Sequence, residues 1–250
     1  GSCGVKPVEV RVLFRAQTMN KSTIAIINDS EVTAGSLPNN IISINAWDIN
    51  WDDLSLDDNY IILGGHMGSY DDQKFTYLQE EKEWLKYAIN SNAKILGICL
   101  GSQLIADAMG GAAFLSKNIE FGFKNLEFLI DDSLFDDFKN TKVFSWHRDT
   151  FNIPPEATLI AKTEYPQIYS IKNSLALQFH PEIKLDLFEN WYDSDLSKEE
   201  LANYDVHSEL NYLKDNSQQL EKTMHNFYNK WIEFKNCLLY TSPSPRDVVP

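Results

Sequence analysis

The sequence predicts an α/β protein: a three-layer sandwich with a mostly parallel central sheet, followed by C-terminal helices. Three observations carry this. Short apolar runs alternate with amphipathic stretches through the first half of the chain, and each run ends in a turn signal. Apolar residues at 43% and charged residues at 23% are close to globular proportions, so neither a disordered chain nor a fibrous repeat fits. Strand, helix, strand, helix is the order of a parallel sheet covered on both faces. A chain of 250 residues has material for one large domain with a buried core.

Residues 24–27 are a β-branched run closed by Asn28-Asp29-Ser30, and 41–44 form a second after Leu37-Pro38-Asn39-Asn40; both read as strands. The segment between them, 29–40, is about a dozen residues, near the minimum for joining parallel strands, so a full first helix is expected to be missing. An acidic, tryptophan-bearing loop (48–59) leads to a third strand at 60–63, which runs into Gly64-Gly65. In 76–90, Leu78, Trp84, Leu85, Ala88 and Ile89 share one helical stripe, the pattern of an amphipathic crossover helix. A fourth strand at 94–98 precedes helical spacing over 100–109 that stops at Gly110-Gly111. Further strands are expected at 121–130, 141–145, 158–163, 168–171 and 175–179. From residue 196 onward the pattern is polar and helical, with Leu201, Leu210, Leu213, Leu220, Met224, Phe227 and Trp231 facing inward.

The two ends stand apart. Residues 237–247 resemble a translated sequencing adapter and offer no apolar periodicity to pack. Met19 stands just before the first strand, so 1–18 read either as upstream translation or, from the alternation over 8–14, as an extra strand. The expected division is a doubtful extension (1–18), an α/β domain (19–195), a helical extension (196–236) and an adapter-derived tail (237–250).

Thirty-six acidic against 22 basic residues give a net charge of -14, a field that repels phosphate backbones and anionic lipid, so nucleic acid is not an expected partner. No run of about 20 apolar residues exists to span a bilayer, and no basic patch leads into an apolar leader, so a cytoplasmic protein with no membrane contact is expected. With Cys3 and Cys237 in the two ends, Cys99 stands alone. That excludes a disulfide framework or a cysteine-rich zinc site from the core and leaves either a buried small hydrophobe or a nucleophile.

Cys99 lies between a strand and a helix in Gly97-Ile98-Cys99-Leu100-Gly101, where flanking glycines leave room for a sharp turn that lifts the side chain from the sheet edge. A thiol in the first turn of a helix feels the positive end of the helix dipole, which favours the nucleophilic thiolate. The plain alternative is a cysteine in a Gly-rich packing turn. Downstream, residues 175–179 form an apolar strand that ends in His180-Pro181-Glu182; in an extended chain positions i and i+2 share a face, so His180 and Glu182 point the same way. Such a pair supplies an imidazole to take a thiol proton and a carboxylate to orient it.

Together, Gly64-Gly65, Gly97-Ile98-Cys99-Leu100-Gly101-Ser102-Gln103 and Gln178-Phe179-His180-Pro181-Glu182 resemble the motifs of class I glutamine amidotransferases, over residues 24–183. The segments Met67-Gly68-Ser69-Tyr70-Asp71 and Ser145-Trp146-His147-Arg148-Asp149-Thr150-Phe151 are similar to those of stand-alone, GMP-synthase-like members. The resemblance implies a flavodoxin-like sheet with Cys99, His180 and Glu182 as a catalytic triad that hydrolyses the side-chain amide of glutamine through a γ-glutamyl thioester. It implies the backbone N–H groups of Gly65 and Leu100 as an oxyanion hole, and Gly64, Gln103 and the His147 segment beside the bound substrate. No cofactor or metal is expected. No Gly-rich phosphate loop occurs between residues 183 and 236, so a synthetase that consumes the ammonia would be a separate protein. Two departures stand out: His66 occupies a place where relatives carry Pro, and Arg148 one where many carry Gly. The alternative activities are a γ-glutamyl peptidase or hydrolase, sharing the thioester chemistry, and a non-catalytic binding module on the same fold.

Overall fold

The computed structural model describes residues 21–234; the expectations for 1–18, for the strand at 8–14, for Cys3 and Cys237 and for the tail 237–250 lie outside the described residues. Five parallel strands form the centre of an eight-stranded sheet: β1 (Thr23–Ile27), β2 (Ile42–Asn45), β3 (Asn59–Ile62), β4 (Lys94–Ile98) and β10 (Ser174–Leu177). Three antiparallel strands, β9 (Pro166–Ile171), β8 (Thr158–Lys162) and β6 (Glu127–Phe128), extend it in the order β2-β1-β3-β4-β10-β9-β8-β6. A separate antiparallel ribbon pairs β5 (Ala112–Lys124) with β7 (Val143–Asn152).

Apart from β2, which forms one edge of the sheet and is partly exposed, the parallel strands are buried on both sides, and their alternation divides the apolar side chains between two layers. Ile24, Ile26, Tyr60, Ile62 and Ile95 face helices α1 (Tyr77–Asn90) and α2 (Leu100–Ala108), meeting Leu85, Leu104 and Ile105. Ala25, Ile61, Leu63, Leu96 and Ile98 face the other way, onto Met224, Phe227 and Trp231 of the long helix α6 (Val206–Glu233) and onto the short α3 (Asp136–Lys139). The C-terminal half of α6, together with α3 and the turn before it, therefore covers this face of the sheet. A third apolar cluster joins the ribbon residues Phe121, Phe123 and Phe144 to α4 (Leu185–Tyr192), to Leu201 just after the short helix α5 (Asp195–Glu200) and to the N-terminal half of α6.

Several expectations are corrected. The strand at 121–130 is two elements, and β5 starts at Ala112; its outer half is largely exposed, so no apolar alternation marks it. The strand at 141–145 runs on to Asn152 because it pairs with β5 across the whole ribbon. The strand at 175–179 stops at Leu177, and helix begins at Leu185, well before 196. Between β1 and β2 the described chain makes only turns, as the short crossover requires.

Glu81 of α1 is fully buried, with Oε1 accepting from Asn28 Nδ2 at 3.2 Å. Burial pushes its carboxyl up to about 8, opposed by the Asn28 hydrogen bond. A carboxyl raised on folding from 4.5 to about 8 gives stability that is full below pH 4.5 and falls as pH rises towards 8. Urea unfolding of the wild type is expected to show this decline, and Glu81→Gln to flatten it; equal slopes in the two proteins would count against a buried neutral acid.

Candidate active site

The turn from β4 into α2 places Cys99 at φ 51°, ψ -107°, a left-handed conformation that a non-glycine residue adopts at a cost of about 1–3 kcal/mol. The turn is fixed on both sides. Cys99 N–H donates to Leu177 O at 2.8 Å, and its carbonyl accepts from the N–H of Ser102 and Gln103. A Cβ on Gly97 would lie 2.6 Å from Gly101 O, and one on Gly101 would lie 2.2 Å from Ile62 O, so the elbow closes only with glycine at both positions. Cys99 is a free thiol, 6% exposed, at the floor of a cleft of about 540 Å³. That volume suits a small-molecule ligand.

His180 borders the same cleft. Its Nδ1 is 2.8 Å from Glu182 Oε1 and, facing a carboxylate, is the donor of that bond, which leaves the other ring nitrogen unclaimed by Glu182. The strand ends before this pair, so the shared direction of His180 and Glu182 comes from the turn through Pro181 and not from strand alternation. His180 N–H donates to Phe144 O at 2.8 Å, and the carbonyl of the buried Glu182 accepts from Ser36 N–H at 2.9 Å, which ties the turn to β7 and to the first crossover. Gly64 lies between sulfur and imidazole: a Cβ there would be 3.2 Å from His180 Cε1 and 3.4 Å from Cys99 Cβ. Trp191 of α4 packs on the imidazole with ring centroids 4.7 Å apart.

Burial alone would push the His180 imidazole down, but the charges and hydrogen bonds of Cys99 and Glu182 outweigh it and raise the ring to about 10. A ring raised from 6.5 to about 10 contributes stability that is complete below pH 6.5 and lost as pH rises through 10. NMR titration is expected to find His180 protonated throughout the neutral range, and Glu182→Gln to lower its midpoint by about one unit or more. A wild-type midpoint near 6.5 would contradict this electrostatic account.

Leu100 opens α2, so its N–H belongs to the first-turn amides that lack an intrahelical acceptor. Gly65 is beside it: a Cβ on Gly65 would lie 3.0 Å from Leu100 Cδ2. The loop that carries Gly65 is fastened through His66, whose backbone N–H and ring Nδ1 reach Asp29 Oδ2 at 3.1 and 2.6 Å. Burial would raise the Asp29 carboxyl, but the N–H of Glu31 and the His66 contacts hold it below its usual range. A proline at 66 has no N–H to offer Asp29, which gives this departure from the family pattern a structural purpose.

Gln103 and His147 also border the cleft. Both ring nitrogens of His147 are engaged inside the protein, Nε2 with Glu120 Oε2 and Nδ1 with Asp149 O, each at 2.9 Å. Burial would raise the Glu120 carboxyl, but His147 and Thr163 hold it below the usual range. At the mouth, Glu200 of α5 accepts from Trp146 Nε1 at 3.0 Å and pairs with Arg148 Nε at 3.1 Å. Asp29, Glu120, Trp191 and Glu200 carry no motif signal, since each reaches the site through a distant contact. Among the described residues no group of His, Cys, Asp and Glu is arranged to hold a metal, and no helix is long and apolar enough to cross a membrane.

A family model described as glutamine amidotransferase class-I matches residues 21–194. The chain belongs to this family. Among curated relatives of this amidotransferase chain, a glutamine-hydrolysing GMP synthase of Brachyspira hyodysenteriae is 39% identical over 129 residues, 49% of this chain and 24% of that protein. One subunit of the glutamine-hydrolysing GMP synthase of Pyrococcus abyssi is 34% identical over 98 residues, 37% of this chain and 52% of that one. The chain thus spans about a quarter and about half the length of these two relatives. In fold it is similar to a glutamine amidotransferase of Thermotoga maritima, with a TM-score of 0.75 at 24% identity, over 86% of this chain and 99% of that one.

Proposed function

We propose that the protein hydrolyses the side-chain amide of glutamine to glutamate and ammonia through a γ-glutamyl thioester on Cys99. The observation that carries this is the junction of a strained nucleophile elbow with an imidazole that is charge-coupled to both Cys99 and Glu182. In this reading the Cys99 sulfur attacks the amide carbon as its proton resides on His180. The negative oxygen of the tetrahedral intermediate lies against the N–H groups of Gly65 and Leu100. The C–S bond forms in that attack; collapse then restores the carbonyl, breaks the C–N bond and passes the His180 proton to the leaving NH2, releasing ammonia.

The charge coupling gives that transfer its direction: once sulfur is acylated its charge is gone, the imidazolium loses one of the two partners that raised it, and it becomes a stronger acid. Water, deprotonated by His180, then attacks the thioester; collapse breaks the C–S bond and glutamate leaves, with the sulfur returned as thiolate beside the reprotonated imidazole. Glu182 holds the ring throughout, while Gly64, Gln103 and the His147 segment border the substrate.

The proposal takes residues 19–195 as the amidotransferase domain and 196–236 as a helical extension, working without cofactor or metal in the cytoplasm, a setting in keeping with Cys99 being free of any disulfide. The Pyrococcus abyssi relative is named as one subunit of its synthase, which supports a separate ammonia-consuming synthetase as partner. Incubation with glutamine is expected to release glutamate and ammonia in equal amounts, with γ-glutamyl dipeptides cleaved far more slowly. Dipeptide cleavage with inert glutamine would replace this reading with a γ-glutamyl peptidase, and inactivity on both, with a partner synthetase supplied, would leave a binding module.

A further inference from the structure

We propose that Gln178 is a catalytic residue that donates a carboxamide hydrogen to the Cys99 sulfur, and that Gln103 fixes which end of that carboxamide faces the sulfur. The inference rests on Cys99 being the nucleophile. Gln178 follows β10 directly, is fully buried, and is held by its backbone N–H on Gln167 O at 2.9 Å. Its Nε2 is 3.7 Å from Cys99 Sγ, a normal separation for a hydrogen bond to the larger sulfur atom. Its Oε1 accepts from Gln103 Nε2 at 3.3 Å, and the same Gln103 nitrogen donates to Asp149 O at 3.4 Å.

These contacts form a chain with one direction. A backbone carbonyl only accepts, so Asp149 O requires Gln103 to present its NH2 group. The NH2 group has two hydrogens, and the second meets Gln178, which must therefore present oxygen to Gln103 and NH2 to the sulfur. A flipped Gln178 would set two NH2 groups against each other and aim an oxygen at the sulfur. The orientation is reinforced from behind, since Asp149 O also faces His147 Nδ1 at 2.9 Å. The chain thus places a neutral donor on the sulfur, which supports negative charge there once the thiol proton has passed to His180 and adds no cation to compete with the imidazolium.

Alkylation of Cys99 by iodoacetamide as a function of pH tests this without any amide substrate, so it reads separately from glutamine turnover. In Gln178→Leu the alkylation curve is expected to move to higher pH by about one unit, with roughly tenfold slower reaction at neutral pH. The near-isosteric Gln178→Glu, which replaces the donor by an acceptor, is expected to shift it at least as far and covers the case in which the leucine protein does not fold. Gln103→Leu should shift it less, in the same direction. In steady state, kcat for glutamine should fall with KM little changed in Gln178→Leu. Unmoved alkylation curves in folded Gln178→Leu or Gln178→Glu protein, judged by near-ultraviolet circular dichroism, would overturn the proposal even if turnover were lost.

Discussion

Replacing Cys99 by alanine is expected to lower glutamine hydrolysis by about 10⁴–10⁶-fold, the range seen when the nucleophile of a coupled triad is removed. The fold should survive. The thiol is small, the backbone of the turn is held by the hydrogen bond it donates to Leu177 O and those it accepts from the N–H groups of Ser102 and Gln103, all of which alanine keeps, and the change in stability should stay within about 1 kcal/mol. Cys99→Ser should be nearly as inactive although it preserves shape, because its hydroxyl is a poor nucleophile beside an imidazole tuned to a sulfur partner. The His180 resonance supplies a second readout: without the sulfur charge its titration midpoint should fall from about 10. Measured glutamate release within tenfold of wild type in folded Cys99→Ala would remove the thioester mechanism altogether.

The second large effect is structural. Gly101→Ala is expected to cost about 3 kcal/mol or more, or to prevent folding, because its Cβ would meet the backbone of β3, at 2.2 Å from Ile62 O and 2.9 Å from Ile62 Cβ. Neither partner can swing aside: both belong to a central strand that is hydrogen-bonded on each side. Gly68→Ala makes the contrasting control. There the added carbon meets the Tyr70 ring at 2.6 Å, but that side chain is half exposed and held at its far end only by its hydroxyl on Asp149, so it can yield and the loss should be below about 1 kcal/mol. Chemical denaturation of the two variants checks the difference, and equal stabilities would mean that the α2 approach to β3 is looser than the geometry requires.

What could be read from the sequence follows from how locally each feature is determined. The central strands and α2 are legible because they are buried along almost their whole length, as Tyr60 to Ile62 are, and α1 because its buried stripe from Leu78 to Ile89 repeats at helical spacing. The outer half of β5 is not, since its residues face water and only the partner strand β7 defines it. Helix α4 escaped because eight residues rich in aromatics give little room for periodicity. In the site, Cys99 announces itself through glycines at positions 97 and 101, whose necessity is steric and local to one turn. The His180–Glu182 pair was legible for a reason that proved incidental, as the turn through Pro181 and not an extended strand brings the two together. Trp191 on the imidazole and Asp29 under the Gly65 loop are products of long-range packing, which no spacing in the chain encodes.

Glu200 belongs to a helix beyond the stretch matched by the family model, yet it anchors both Trp146 and Arg148 at the rim. The proposed reacting groups thus lie within the matched stretch, while part of the cleft rim comes from the polypeptide after it. Grafting another relative's segment after residue 194 is a route to altering which molecules are admitted without touching the reacting groups, whereas simple truncation there would also strip one face of the sheet of its cover, Trp231 included.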